Sequence, residues 1–273
     1  MNNERFEIKA VTFDLWETLL LERDGANSQR TLIRCSNLVR VLERFGVQIS
    51  MSQLASAFEA MTPWLLSFWK SDKEVAHQQQ IRFLVEKASN GSVQLKEQWL
   101  DELSQAYVSP IFELPPYLNP DAPGLLQWIK SRHKKIGLIC NVGHTPGSAL
   151  RGFLRRESLE KNFDAMIFSD EVGIRKPNPH IFHLTAKALG VEPSRAVHIG
   201  DNLKSDVWGA KNAGFKAIYL SSEVGRDRIA ESDPASLVSI SRKLGKISEE
   251  KIAPDKTIGS LAMVTKAIQE LER

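Results

Sequence analysis

The chain reads as an α/β protein, a Rossmann-like parallel sheet with helices on both faces and an all-helical domain inserted after the first strand. Three observations predict this. Short, largely apolar runs recur without polar alternation, as in strands buried on both faces. From the second run onward, helical periodicities separate them, the pattern of a sheet wound by crossovers. Between the first and second runs lies a stretch of helical pattern alone.

The first strand is expected at 10–13, with Asp14 just beyond it. Helices are then expected at 29–45, 52–70, 74–88 and 96–107. Ser50 and Ser71 are the expected N-caps, because a hydroxyl accepts from the unpaired N–H groups of a first turn; Gly46 and Asn90-Gly91 are the expected stops. Leu114-Pro115-Pro116 and Asn119-Pro120 mark the return to the sheet. Further strands are expected at 135–140, 165–168, 196–199 and 216–220, with helices at 179–189 and 205–213. The polar stretch 222–251 reads as a long loop with a short helix, and 257–271 as a helix packing back on the sheet. The expected division is a core of residues 1–24 and 114–273 and a helical cap of residues 25–113.

With 273 residues, of which 42% are hydrophobic and 25% charged, the chain can bury a large core of one or two domains. The net charge of +3 comes without a dense Lys/Arg run, so nucleic acid is not an expected partner. Cys35 and Cys140 lack metal-ligand spacing and form no disulfide framework, which predicts a reducing, cytoplasmic setting. Residues 1–10 are polar, and no run approaches the roughly 18 apolar residues that span a bilayer, so neither secretion nor a membrane is expected.

In parallel sheets of this kind ligands bind beyond the carboxyl ends of the strands, where Asp14, Cys140, Asp170 and Asp201 all fall. Four features lie there in order: Asp14 with Thr18, then Ile139-Cys140-Asn141-Val142-Gly143, then Gly173-Ile174-Arg175-Lys176-Pro177, then His198-Ile199-Gly200-Asp201-Asn202 with Asp206. A carboxylate can attack phosphorus or carbon and form a covalent intermediate. Asp14 and Asp201 could hold a divalent cation, and hard Mg²⁺ prefers such oxygen ligands. Lys176 supplies a further positive charge, Gly200 a tight turn, and Asp206 could orient Lys176 or a metal-bound water. Singly, each has an ordinary explanation: a helix cap, a loop lysine, an inert buried thiol, a local turn. Their occurrence together, each at a predicted strand exit, argues for one site.

The segments Lys176-Pro177-Asn178-Pro179-His180-Ile181-Phe182 and His198-Ile199-Gly200-Asp201 through Asp206-Val207-Trp208-Gly209-Ala210 to Ala213-Gly214 resemble the haloacid dehalogenase superfamily, whose most numerous members are phosphatases. The resemblance covers about 8–21 and 116–220. It implies a Rossmann-like core with a helical cap of the first type. It also implies Asp14 as nucleophile, Lys176 as the charge-stabilising lysine, Asp201 and Asp206 as the acidic pair of a Mg²⁺ site, and the Trp16 backbone carbonyl as a further ligand. Thr18, Cys140, Asn141, Val142 and Gly143 would contact the substrate.

Two positions depart from the family. Trp16 stands where its phosphatases usually carry an Asp that acts as general acid and then base, help commonly worth about 10²–10⁴ in rate. Glu17 and His144 are possible substitutes, although exposure is the expectation for both. Cys140 stands where the family prefers Ser or Thr, and a thiol is a poorer donor. The expected activity is a slow, Mg²⁺-dependent phosphatase of small phosphorylated metabolites, acting as a monomer or homodimer. A metal-independent 2-haloacid dehalogenase is one alternative, because those relatives also carry an aromatic residue two positions after the nucleophile. A non-catalytic binding or scaffold protein is the other. The aromatic-rich insertion, with Phe58, Trp64, Leu65, Phe68, Trp69, Phe83 and Trp99 at helical spacing, reads mainly as the cap's own core.

Overall fold

The computed structural model describes residues 7–221 and 251–273. Among these, the strands Ala10–Phe13 (β1), Lys135–Cys140 (β4), Ala165–Phe168 (β5), Ala196–Gly200 (β6), Lys216–Leu220 (β7) and Lys256–Ile258 (β8) form one parallel sheet. Its order is β5-β4-β1-β6-β7-β8. Leu20–Leu21 (β2) and Tyr117–Leu118 (β3) form a separate antiparallel pair at the entry to and exit from the helical insertion.

All four residues of β1 are buried, as its apolar sequence requires at the centre of a sheet. Phe13 lies between Leu138 and Ile199 in register, and the Asp14 N–H donates to Ile199 O at 2.9 Å, one step past the ladder. The chain builds β4 and β5 on one side of β1 and β6 to β8 on the other. The carboxyl end of β1 is therefore the topological switch point, where a crevice opens.

The helices Ala122–Ser131 (α6), Gly147–Arg156 (α7) and Val264–Leu271 (α11) cover one face of the sheet around Val11, Phe13, Leu138 and Ile199. Pro179–Leu189 (α9) and Gly209–Asn212 (α10) cover the other, around Ala10, Ile139, Phe182 and Ala186. Ser169–Val172 (α8) is a single turn after β5.

The insertion consists of Ala26–Arg44 (α1), Met51–Trp69 (α2), His77–Ala88 (α3) and Leu100–Val108 (α4), with a short Pro110–Glu113 helix (α5) leading back. It has its own core, built on Leu38, Leu42, Leu54, Met61, Leu84 and Tyr107. The aromatic residues singled out above pack in or against that core, as their helical spacing predicts. Ser50 caps α2 with a capping box shared with Gln53, and Gly46 and Gly91 take the positive φ that stops α1 and α3.

Three local expectations need correction. Ser71 does not cap α3, which begins three residues later than expected with Ala76 before it. Residues 73–75 are drawn out instead because Lys73 bridges Ile174 antiparallel and the Glu74 N–H donates to Gly173 O. The helix expected at 257–271 is shorter, because Lys256-Thr257-Ile258 joins the sheet beside β7. The helix expected at 205–213 begins as a π-helical turn over Leu203–Trp208 before α10. The expectation for 222–251 falls, apart from Lys251, outside the described residues. Among the described residues no helix is long and apolar enough to cross a membrane.

Candidate active site

β1, β4 and β6 carry Asp14, Cys140 and Asp201 to the same edge of the sheet, and the loop before α9 brings Lys176 between them. The Lys176 Nζ lies 2.5 Å from Asp14 Oδ1 and 2.7 Å from Asp206 Oδ1, with its side chain 1% exposed. Asp14, Asp201 and Asp206 are all buried, and each offers a carboxylate oxygen within 4.8 Å of the others. Lys176 thus joins two of three carboxylates that crowd together away from water.

The pKa values register that crowding. Burial pushes Asp14 up to about 7; Lys176 opposes the shift, while Asp206 and Asp201 add to it. Burial also works against the Lys176 charge, but Asp14 and Asp206 outweigh it and hold the ammonium above the ordinary lysine range. Asp206 is held well below the usual carboxylate range: burial opposes its charge, but Lys176 and His198 prevail.

Asp206 is aimed by its local backbone. In the π-helical turn, both Asp206 and Val207 N–H donate to Asn202 O, and the Asn202 N–H returns a bond to Asp206 Oδ2 at 2.9 Å. Such turns recur at functional sites because the extra residue redirects one side chain. A Cβ on Gly200 would lie 2.4 Å from the Asp206 carboxyl carbon, so this position admits only glycine. Gly200→Ala is expected to destabilise the protein by about 1–3 kcal/mol through overpacking, seen as a lowered urea midpoint.

His198 is a site residue to which the sequence assigned no role. It lies inside β6 with Nδ1 2.9 Å from Thr12 Oγ1 and Nε2 3.4 Å from Asp206 Oδ1. Burial lowers its pKa to about 4, so at neutral pH it is uncharged and buttresses Asp206. The only sequence signal was its place in an otherwise apolar strand.

The substrate-contact expectations divide. Thr18 Oγ1 is buried without a hydrogen-bond partner among the described residues, so its donor is unspent. Cys140 is buried, and its thiol is pushed far up by burial and by the Asp14 charge, so it is inert as a nucleophile. Asn141 holds the Lys176 backbone, accepting from its N–H and donating to its carbonyl at 2.8 Å each. Its side chain is thus occupied with positioning rather than turned to a substrate. The Val142 N–H donates to Ser169 Oγ at 2.9 Å, which corrects the expectation that it faces the substrate. Gly143 accepts from Gln80 Nε2 through its carbonyl at 3.1 Å.

The two substitute acids also differ from expectation. Glu17 is buried rather than exposed and sits at a φ of 57°, a left-handed conformation that favours glycine. Its Oε1 accepts from the Glu22 N–H at 3.1 Å. His144 is half-buried, with Nδ1 3.1 Å from Tyr107 Oη and 3.2 Å from Gln80 Oε1. Burial, with Arg34 nearby, holds its pKa well below the ordinary histidine value, so it is neutral near pH 7. The Trp16 ring is half-buried against the core, with the Arg30 guanidinium of α1 5.9 Å from its centroid.

Lys176→Met leaves Asp14 and Asp206 buried together without a cation. Removing one partner of a buried ion pair costs about 3–5 kcal/mol, and that loss is expected in urea unfolding of the protein in chelator.

A family model for haloacid dehalogenase-like hydrolases matches residues 8–214. The chain belongs to the haloacid dehalogenase-like hydrolases. Among curated relatives, it is 35% identical over 107 residues to a glyceraldehyde 3-phosphate phosphatase of Methanothermobacter thermautotrophicus, covering 38% of this chain and 45% of that one. It is 40% identical over 101 residues to a phosphorylated carbohydrates phosphatase of Thermotoga maritima, covering 37% and 45%. The matches therefore span about half or less of these relatives' length. Among solved structures, a 2-haloacid dehalogenase from Pseudomonas syringae superposes with a TM-score of 0.64 at 19% identity, covering 97% of this chain and 99% of that one, a likeness of fold. The parallel sheet is thus a fold that this chain shares with that structure.

Proposed function

We propose that this hydrolase is a Mg²⁺-dependent phosphatase of small phosphorylated metabolites, working in the reducing interior of the cell. The observation that carries the reading is the buried Asp14, Asp201 and Asp206 cluster, with Lys176 held between Asp14 and Asp206. Buried carboxylates gathered this closely repel one another unless cations join them. Their donor set is all hard oxygen, which suits Mg²⁺. Asp14, Asp201 and Asp206, with the Trp16 carbonyl, would hold the ion, which when bound would neutralise charge on the transferring group.

In this reading one Asp14 carboxylate oxygen attacks phosphorus and the ester oxygen leaves with the bond electrons. Water then attacks the aspartyl phosphate at phosphorus, releasing phosphate and restoring the carboxylate. Lys176 orients Asp14 and offsets the charge on the phosphoryl oxygens. Thr18 offers its unspent hydroxyl to the same group. Trp16 cannot protonate the leaving oxygen, so turnover is slow and favours esters whose alcohols leave readily. The names of the phosphatase relatives support small phosphorylated substrates.

The test is phosphate release across a panel of phosphomonoesters, with Mg²⁺ and with EDTA. Release that requires Mg²⁺ is expected. Absence of release across the panel, with metal-free halide release from 2-chloropropionate, would replace this reading by the dehalogenase one. Trp16 is the residue that keeps this second reading in view.

A further inference from the structure

We infer that Glu74, on the loop between α2 and α3, is a positioning residue that makes the docked helical insertion a working part of the active site. The inference rests on the roles proposed for Asp14 and Lys176. Glu74 is on the insertion, yet its carboxylate is fully buried and its partners lie on both sides of the seam. Oε1 accepts from Trp69 Nε1 at 2.8 Å and from the Val75 N–H at 2.9 Å, both on its own side. Oε2 accepts from Ser169 Oγ at 2.6 Å and from Arg175 Nη1, both in the core.

Those two core residues lead straight to the site. Ser169 Oγ accepts from the Val142 N–H at 2.9 Å, and Arg175 Nη1 donates to Val142 O at 2.7 Å. Val142 is thus held at both of its backbone polar groups by side chains that Glu74 itself holds. Its neighbour Asn141 grips the Lys176 backbone from both sides. Arg175 directly precedes Lys176, its N–H donates to Asp72 O at 2.9 Å, and its guanidinium lies 3.9 Å from the Trp69 ring centroid. One carboxylate therefore ties the loop after β4 and the loop carrying Lys176 to the insertion.

A structural salt bridge would need only one core partner. Here both oxygens are saturated, Arg175 directly precedes Lys176, and Ser169 reaches the Lys176 backbone through Val142 and Asn141. A buried, fully hydrogen-bonded network of this kind holds one geometry, and losing one member leaves a charge unpaired. Outer groups that orient reacting side chains typically carry about 10–100-fold in activity.

The experiment compares Glu74→Gln with wild type and with Glu97→Gln, which removes an exposed ion pair with Arg82 on the insertion surface. Phosphate release is followed with Mg²⁺, and hydrogen exchange is followed without substrate. For Glu74→Gln we expect kcat to fall about 10–100-fold, with KM changed by less than about threefold because ground-state contacts are untouched. Exchange should quicken at 141–145 and 173–177 while α3 and α4 keep wild-type protection. Glu97→Gln should match wild type in both readouts. Ser169→Ala, a smaller change on the core side, should show the same split if Glu74→Gln fails to fold. Wild-type kcat in folded Glu74→Gln, or faster exchange spread evenly over the insertion, overturns the inference. If wild type releases no phosphate at all, the phosphatase reading fails, and the exchange pattern alone then decides whether Glu74 holds the two loops.

Discussion

Asp14→Asn is expected to abolish phosphate release and, in chelator, to stabilise the folded protein above neutral pH. The amide keeps the size of the side chain but cannot attack phosphorus, so kcat should fall by about 10⁴-fold or more, as on loss of other covalent nucleophiles. Stability should move the opposite way. The folded-state pKa of Asp14 is raised to about 7 from an ordinary 3.8, so its favourable contribution is complete below about pH 4 and is lost as pH rises through 7. Asn does not titrate, so the variant should gain on wild type across that window, by up to about 4 kcal/mol. Lys176 remains paired with Asp206 in the variant, which leaves no new unpaired cation. Urea midpoints measured from acid to mildly alkaline pH check this. A difference independent of pH would mean that the Asp14 pKa is the same in the folded and unfolded protein, with Lys176 just offsetting the burial.

Trp16→Asp should produce the largest gain. If the missing proton donor limits turnover, a carboxyl two residues after Asp14 should raise kcat by about 10²–10⁴-fold, most for esters with poor leaving groups. The half-buried indole packs against the core and beside Arg30, so its removal also costs stability, and kcat must be compared on folded protein. A Brønsted series of aryl phosphates separates the two effects. Wild type should depend steeply on leaving-group pKa, and the variant only weakly. An active wild type that gains nothing would mean that proton transfer is already supplied, with Glu17 and His144 the candidates.

The sheet was legible because its strands are continuous apolar runs whose exits carry the site residues. β1, β4, β5 and β7 begin and end at the residues that periodicity predicts. Asp14, Lys176, Asp201 and Asp206 were legible for a related reason: a charge at the end of a buried strand is anomalous unless it has work to do. β8 was missed because three residues leading into a helix share its apolar spacing. The burial of Glu17 and His144 was missed because loop residues are ordinarily exposed; His144 is enclosed where Tyr107, Gln80 and Phe58 of the insertion meet the core. Glu74 was assigned to a helix because its real partners, Ser169 and Arg175, lie about a hundred residues away, beyond any local pattern. The same distance hid the consumption of the Val142 N–H by Ser169.

The central place of β1 sets a timetable for synthesis. Both of its neighbours follow it in the chain, β6 by nearly the whole length of the core, so the strand bearing Asp14 has no edge to pair with when it leaves the ribosome. Asp206 emerges about 190 residues after Asp14, some 10–40 s later at ordinary elongation rates. During that interval the helical insertion, whose contacts are local, can already fold, while the apolar β1 waits without either neighbour until β4 emerges and with one open edge until β6 follows. The nascent chain is therefore most exposed to aggregation between completion of the insertion and arrival of β6. A chaperone that shields residues 8–21 over that interval should raise the yield of active protein more than one acting after release.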